Sequence, residues 1–205
     1  MSIDLTRGLF GRKSEDETSG ERKRLPPGQR LTDGWPVLHY GGIPRIDLDT
    51  WEFMIGGLVD NELSLNWEQF MALPQVEVRT DIHCVTTWSK YDNDWAGVRF
   101  TDVMELAKVR PEAKHVMFHS YGGYTTNVPL SELMTDDILF VHSHNGAPLS
   151  QEHGGPLRGM IPHLYFWKSA KWVRGIQFVD QDSPGFWEQY GYHNRGDPWN
   201  EERYA

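Results

Sequence analysis

Short β-rich segments run along most of this chain, and their spacing is the feature that most limits the folds it can adopt. They are rich in β-branched and aromatic residues, which favour strands, and they cover 51–59, 76–84, 115–120, 137–143 and 171–180. No regular alternation of strand and long helix joins them, so a parallel α/β sheet is not indicated. The pattern predicts an α+β fold of mixed β-sheets with short helices between strands.

The segment 76–84 has the strictest period. Its residues alternate between two faces of a predicted strand, with Val76, Val78, Thr80 and Ile82 on one face and Glu77, Arg79, Asp81 and His83 on the other. Cys84 continues the apolar face where this strand ends.

Two segments carry helix start signals. Asn66 and Gln69 form a capping-box-like pair before "WEQFMAL". Thr101 is the predicted N-cap of "DVMELAKV". Both predicted helices are short, which agrees with the α+β class.

The 205 residues suit one domain preceded by a polar arm. Residues 1–34 are polar and interrupted by Gly and Pro, which is typical of an extended arm. Aromatic residues become frequent from Trp35 onward. We therefore expect a single domain over 35–205, long enough to bury a sizeable core.

Charge and apolar run lengths exclude several classes of partner. Acidic residues outnumber basic ones 29 to 20, for a net charge of -9, which opposes binding to a nucleic acid backbone. No apolar run approaches the roughly 20 residues of a transmembrane helix. The first 20 residues show no secretory h-region and no twin-arginine pattern, which favours a cytoplasmic location. The oligomeric state is not predicted.

Cys84 is the only cysteine. This excludes an intramolecular disulfide, a Cys-only zinc site and a protein-held iron–sulfur cluster. An inert buried thiol is the interpretation that packing habits favour. A nucleophile paired with a distant histidine and a metal ligand stay open as alternatives. His142 and His144 share one face of a predicted strand, but their spacing does not identify a zinc site.

The stretch 145–173 has the greatest chemical content. His153, Arg158 and Lys171 offer donors or positive charge for an anionic group, and Gly154 and Gly155 would let the backbone approach a flat ligand. On residue types alone, a surface turn followed by a strand with solvated lysines is the favoured interpretation.

Ordered segments of the chain resemble the sulfite oxidase-like molybdopterin oxidoreductases. The resemblance spans nearly all of 35–205 and rests on "GWPVLHYG", "WEFMIGGLV", "WEQFMALP", "DIHCVTTWS", "DWAGVRFTDV", "GGYTTNVPL", "NGAPLSQEHGGPLRGMIPHLYFWKSAKWV" and "GFWEQYGYHNRGDPW". The chain is most similar to the short, haem-free bacterial members, among them the catalytic subunit of the methionine-sulfoxide reductase system.

This resemblance implies the sulfite oxidase-type molybdopterin-binding fold, a Mo-molybdopterin cofactor and a site. Cys84 is the implied catalytic residue and thiolate ligand to molybdenum, whose other sulfurs come from the dithiolene of one molybdopterin. The implied cofactor-binding residues are His39, Tyr40, Ser120, His153, Arg158, Ser169, Ala170 and Lys171. Ser169 stands where the family pattern has glycine.

The implied reaction is two-electron oxygen-atom transfer on a small oxo-compound such as a sulfoxide, an N-oxide or a sulfite-like anion. Electrons would be exchanged with a separate redox carrier. Proximity in sequence to Cys84 suggests Trp88, His83 or Arg79 at the substrate entrance. The alternatives are a catalytically silent molybdopterin-binding or interaction protein and a cysteine-dependent hydrolase or transferase.

Overall fold

The computed structural model describes residues 24–205. The strands are β1 (Arg30–Leu31), β2 (Glu52–Gly57), β3 (Leu63–Asn66), β4 (Val76–His83), β5 (Trp88–Arg99), β6 (His115–Ser120), β7 (Thr125–Pro129), β8 (Leu139–His144), β9 (Ala147–Pro148), β10 (Arg158–Met160) and β11 (Val173–Val179). The α-helices are α1 (Trp67–Met71), α2 (Phe100–Ala107) and α3 (Phe186–Gln189).

These strands form two mixed sheets. The first has the order β1-β5-β8-β10, with β4 paired to β5 and β9 paired to β8. The second has the order β3-β2-β11-β6-β7. Strand β11 is parallel to β2 and antiparallel to β6, and β1 is parallel to β5. Mixed sheets with short helices confirm the predicted α+β class.

All five predicted β-rich segments contain a strand, and β6 has the predicted bounds. The longest strand, β5, was not predicted. Its sequence "WSKYDNDWAGVR" mixes Asp, Asn and Gly with aromatic residues, so neither strand propensity nor alternation identifies it. It becomes a strand because β1, β4 and β8 all pair with it.

The capping box of α1 is confirmed, whereas the predicted cap of α2 is wrong. Asn66 and Gln69 each accept a hydrogen bond from the other's backbone amide at 2.9 Å. Helix α2 begins at Phe100, after Arg99, and Thr101 lies inside it. Phe100 is buried and its amide donates to the Ile138 carbonyl at 2.9 Å. Tertiary packing therefore sets this helix start in place of a side-chain cap.

The larger of two hydrophobic cores contains residues from both sheets and from α2, among them Phe53, Phe118 and Phe140. A second core lies against the first sheet and contains Ile82 and Cys84, as the alternation of 76–84 predicts. His83, expected on the polar face, is also buried, because the Trp199 ring covers it at 5.0 Å.

Part of the predicted arm contacts the domain. Strand β1 extends the first sheet by pairing with Trp88 and Ser89. The Arg24 guanidinium donates to both carboxylate oxygens of Asp81, at 2.6 and 2.9 Å. The rest of the arm, 1–23, lies outside the described residues.

Candidate functional site

A cavity of about 300 Å³ opens beside the second core, within the size range of small-molecule sites. Its wall is mostly aromatic, with two cationic side chains and one thiol. The lining residues come from 35–40, from the turn between β4 and β5, from β10, from the loop between β10 and β11, and from 187–192, together with Tyr124.

The cavity brings together seven of the nine residues that the family resemblance implies. They are His39, Tyr40, Cys84, Arg158, Ser169, Ala170 and Lys171. Ser120 and His153 are not part of the lining. These residues lie up to 132 positions apart in sequence, from His39 to Lys171, so the fold gathers them into one place.

Cys84 begins a tight turn at the end of β4. Its amide donates to the Trp88 carbonyl at 2.8 Å, and its own carbonyl accepts from the Thr87 amide at 3.0 Å. Thr87 closes the turn with a φ of 72°, a left-handed conformation that costs a β-branched residue free energy. The turn therefore directs the thiol into the cavity wall at the expense of local strain.

The Cys84 thiol is 8% exposed, and its Sγ shares a hydrogen bond with Thr86 Oγ1 at 3.2 Å. Burial raises the pKa of the Cys84 thiol, while the Thr86 hydrogen bond and the charges of Arg203 and Lys171 oppose that rise. A bound metal would favour the thiolate over the thiol. Within 24–205 no histidine shares a hydrogen bond with Cys84, so the pairing that activates a cysteine nucleophile is not formed.

Arg158 places a guanidinium in the protein interior without an anionic partner. The side chain is 1% exposed and forms no ion pair within the described residues. Nη1 donates to the His153 carbonyl at 2.7 Å and Nη2 to the Ser169 carbonyl at 2.8 Å, while Nε has no partner. Burial lowers the pKa of Arg158 to about 9. An anion in the cavity would offset this desolvation cost.

Lys171 supplies the second cation of the wall. Its Nζ donates to the Glu152 carbonyl at 2.6 Å. Burial, aided by the charge of Arg158, lowers the pKa of Lys171 to about 7. A lysine whose charge is destabilised by a buried guanidinium in the same wall fits a site for a phosphate or similar anion.

The backbone around these cations is engaged within the protein. The Ser169 and Ala170 amides donate to the Phe166 and Lys168 carbonyls, and the Ser169 hydroxyl accepts from the Ile161 amide at 2.9 Å. The serine that departs from the family's glycine thus fixes this loop. The amides of 169–170 are therefore engaged within the protein, and the Arg158 and Lys171 side chains are the charged donors of this part of the wall.

The predicted role of the two glycines is wrong. A Cβ on Gly154 would lie 2.9 Å from the Lys171 Cβ, and one on Gly155 would overlap the Leu149 carbonyl oxygen. Both glycines therefore permit close packing of this loop against the protein, and neither lines the cavity.

His153 and Ser120 lie behind the wall. The His153 ring stacks on Trp35 with a 3.8 Å centroid distance, and Trp35 lines the cavity. Burial lowers the pKa of His153 to about 4, and its Nδ1 has no hydrogen-bond partner among residues 24–205. Ser120 ends β6, and its buried Oγ likewise has no hydrogen-bond partner in the part of the chain that the structure describes.

Of the three residues suggested for an entrance, only Trp88 lines the cavity. His83 is buried and shares a hydrogen bond with Ser89 at 2.8 Å. Arg79 is exposed and forms a two-pronged ion pair with Asp94 at 2.6 and 2.8 Å. Neither of these two can reach a ligand beside Cys84 in this arrangement.

Sequence reasoning missed several aromatic residues of the wall, including Trp35, Tyr124, Trp172 and Tyr192. Tyr124 is fixed by donation of its hydroxyl to the Trp167 carbonyl at 2.7 Å. Aromatic residues such as Trp51, Phe53 and Phe118 are also buried in the core, so residue type alone did not separate wall from core.

Within the described residues no three His, Cys, Asp or Glu side chains are grouped as metal ligands. His142 and His144 instead bond to Gln75 and Asn93. A metal bound by Cys84 would therefore take most of its ligands from a non-protein group. None of the helices in 24–205 has the length and apolarity needed to traverse a lipid bilayer.

Comparison with known proteins places this geometry in a family. The protein-family model described as the oxidoreductase molybdopterin binding domain matches residues 40–187 of this chain. The uncharacterized oxidoreductase YuiH of Bacillus subtilis is 50% identical over 197 residues, which are 96% of this chain and 98% of YuiH. The sulfite oxidase of Arabidopsis thaliana is 28% identical over 75% of this chain, which spans 48% of that protein.

A solved structure has the same fold. The sulfane dehydrogenase SoxCD from Paracoccus pantotrophus superposes with a TM-score of 0.67 at 17% identity, over 97% of this chain and 62% of the SoxCD chain. At this identity the likeness shows the fold and nothing more. The fold is the sulfite oxidase-type molybdopterin-binding fold that the resemblance implies.

Proposed function

We propose, from the premise that this chain belongs to the family of oxidoreductase molybdopterin binding domains, that its cavity holds a molybdenum-bearing molybdopterin and catalyses oxygen-atom transfer. The family makes the protein a molybdenum-dependent oxidoreductase and implies the cofactor. The substrate class, a small sulfoxide, N-oxide or sulfite-like oxo-compound, is part of the proposal, as is a separate electron carrier.

One observation carries the proposal: the single thiol of the chain and two cations that form no ion pair within 24–205 line the same cavity. Molybdopterin combines a sulfur-bound metal with a phosphate. The Cys84 thiolate suits a soft-ligand metal, and Arg158 and Lys171 suit the phosphate. The residues present therefore fit the cofactor.

Each part of the chain has a role in this arrangement. Cys84 binds the metal, and the strained turn 84–87 fixes the direction of the thiolate. Arg158 and Lys171 bind the anionic end, while His39 and Tyr40 form another part of the wall. The aromatic side chains exclude water from the site. When bound, the cofactor supplies the two-electron chemistry, and the protein binds, orients and tunes it.

Electron exchange with another molecule is consistent with the cavity's exposed wall. Tyr40 lines the cavity and is 65% exposed, and its ring lies 4.7 Å from Phe186. A reducing or oxidising dye can stand in for the carrier in an assay.

The test is metal and pterin analysis of protein purified from cells that make the cofactor, followed by a turnover screen. We expect one molybdenum and one pterin per chain. A reduced dye should support reduction of a sulfoxide or an N-oxide. Alternatively, an oxidising dye should support oxidation of sulfite. Folded protein without molybdenum would overturn the proposal, and full cofactor content without any turnover would favour the catalytically silent alternative.

The cation variants Arg158→Met and Lys171→Met should lower molybdenum and pterin content, roughly tenfold or more for each lost charged hydrogen bond. Lys108→Met is the matched control, because Lys108 is an exposed lysine at the end of α2. Undiminished cofactor in both cavity variants would contradict the assignment of the anion site.

A further inference from the structure

We infer that Arg203 and Gln29 are positioning residues that clamp the Cys84 turn from opposite ends of the chain and so fix the direction of the Cys84 thiolate. The inference rests on the proposed function in so far as Cys84 binds the metal. It concerns residues that do not line the cavity.

The carbonyls of the turn are held by residues far away in sequence. Gln29 Nε2 donates to the Cys84 carbonyl at 3.0 Å. The Arg203 Nη1 donates to the Val85 carbonyl at 2.6 Å, across 118 positions. The Arg30 amide donates to the Thr87 carbonyl at 3.0 Å. Three of the four carbonyls in 84–87 are thus bound by the N-terminal arm or by the last residues of the sequence.

The two clamping segments also contact each other. Arg203 Nη2 lies 3.5 Å from the Pro27 carbonyl, at the limit of a hydrogen bond. Gly28 has a φ of +68°, and a Cβ there would lie 2.8 Å from Glu201 Oε1 and 3.2 Å from Arg203 Nη2. The positive φ favours a glycine where the arm passes 201–203. Through this close approach the two segments form one continuous clamp around the turn 84–87.

Arg203 is itself held in place. Its guanidinium lies over the Tyr165 ring at 4.9 Å, and its backbone carbonyl accepts from the His193 amide at 3.2 Å. A stacked guanidinium loses little freedom when it forms its hydrogen bonds. The same charge acts on the thiol, since it opposes the rise in the Cys84 pKa that burial causes.

The strained turn needs contacts that hold it in its conformation. Thr87 at φ 72° would relax if the surrounding contacts were removed, because a strained non-glycine residue persists only when its neighbours over-determine it. Relaxation at Thr87 would rotate the turn that carries Sγ. A metal ligand must be held within a fraction of an ångström of its productive position.

The experiment compares Arg203→Gln with Arg203→Lys, Gln29→Ala and the control Arg174→Gln. Arg174 also places its guanidinium over a tyrosine, Tyr121, at 5.1 Å, but it lies on β11 away from the turn. The first measurement is amide hydrogen exchange of cofactor-free protein over 84–88. The second is the visible and paramagnetic spectrum of the molybdenum centre in loaded protein.

We expect Arg203→Gln to speed exchange of the Cys84 and Thr87 amides by roughly tenfold, since a charged hydrogen bond is lost. Exchange in β6 and β11 should not change. The molybdenum spectrum should shift, Arg203→Lys should restore part of it, and Gln29→Ala should give a smaller change of the same kind. Arg174→Gln should match the wild type.

Unchanged exchange over 84–88 together with an unchanged molybdenum spectrum would overturn the clamp and leave the proposed function standing. Should Arg203→Gln fail to fold, Gln29→Ala decides by the same two measurements. If Arg203→Gln speeds exchange but the protein never binds molybdenum, the clamp on the turn is upheld and the proposed function fails.

Discussion

Arg158 shows how much a single residue can reveal about a ligand. A guanidinium buried to 1% exposure needs compensation, yet it finds only two carbonyls within the described residues. The residue types of 145–173 identified Arg158 as a donor, and the family resemblance implied that it binds the cofactor. It could not predict burial without a carboxylate, because that depends on Phe166 and Ser169 packing around the side chain.

The half-buried side chain of His144 predicts a pH dependence of stability. Burial lowers the pKa of His144 in the folded protein to about 4, below its ordinary value of 6.5. The unfolded chain therefore binds a proton first as the pH falls, so stability is complete above pH 6.5 and is lost as the pH drops towards 4. His144→Gln in cofactor-free protein should remove roughly 1 to 2 kcal/mol of this loss after allowance for solvent screening.

Chemical denaturation at pH 8 and pH 4.5 measures the effect. The glutamine can still bond to Asn93, which His144 contacts at 3.1 Å. An equal loss of unfolding free energy in variant and wild type between the two pH values would show that His144 does not titrate as its burial requires.

At the scale of elements, the sequence predicted strands with their own pattern and missed those that depend on neighbours. Strand β6 and the α1 capping box followed local rules. Strand β5 and the start of α2 did not, because pairing to β8 and burial of Phe100 decide them. Cys84 lies at the end of β4, a strand whose alternation was predicted from the sequence. The face of the sheet on which Cys84 lies was therefore predictable.

Gly97 lies where strands β5 and β8 approach each other closely. A Cβ at Gly97 would overlap the Phe140 carbonyl oxygen across the pair, so Gly97→Ala must push the two strands apart. We expect a loss of about 1 to 3 kcal/mol in unfolding free energy, as for other overpacked sites. Gly56→Ala in β2 is the matched control, since its nearest neighbour would be Glu62 Oε1 at 3.8 Å. Similar losses in both variants would argue against a steric cause.

At the scale of the whole molecule, residues near both ends of the sequence converge on the cavity. The segment that contains α3 is fixed by an ion pair between Lys168 and Glu188 at 2.6 Å, with side chains 0% and 2% exposed. Trp167 donates to the same Glu188 oxygen at 2.9 Å. No local pattern in the sequence pointed to these contacts, because they join residues about 20 positions apart, on either side of β11.

Glu188→Gln should cost roughly 3 to 5 kcal/mol of unfolding free energy, since it leaves the Lys168 charge buried without a counter-ion. Asp60→Asn is the control: the Asp60–Arg110 pair is exposed at the surface, and its loss should cost less than about 1 kcal/mol. Thermal unfolding of both variants measures the difference. A small loss in Glu188→Gln would mean that the pair does not fix α3.

The most direct test of the account is molybdenum X-ray absorption on purified, cofactor-loaded protein and on Cys84→Ser. In Cys84→Ser the metal should have one sulfur ligand fewer than in the unchanged protein. Its activity should be abolished, and its far-ultraviolet circular dichroism should be that of the folded protein. The same number of sulfur ligands in both proteins would contradict the account, because Cys84 would then not bind the metal.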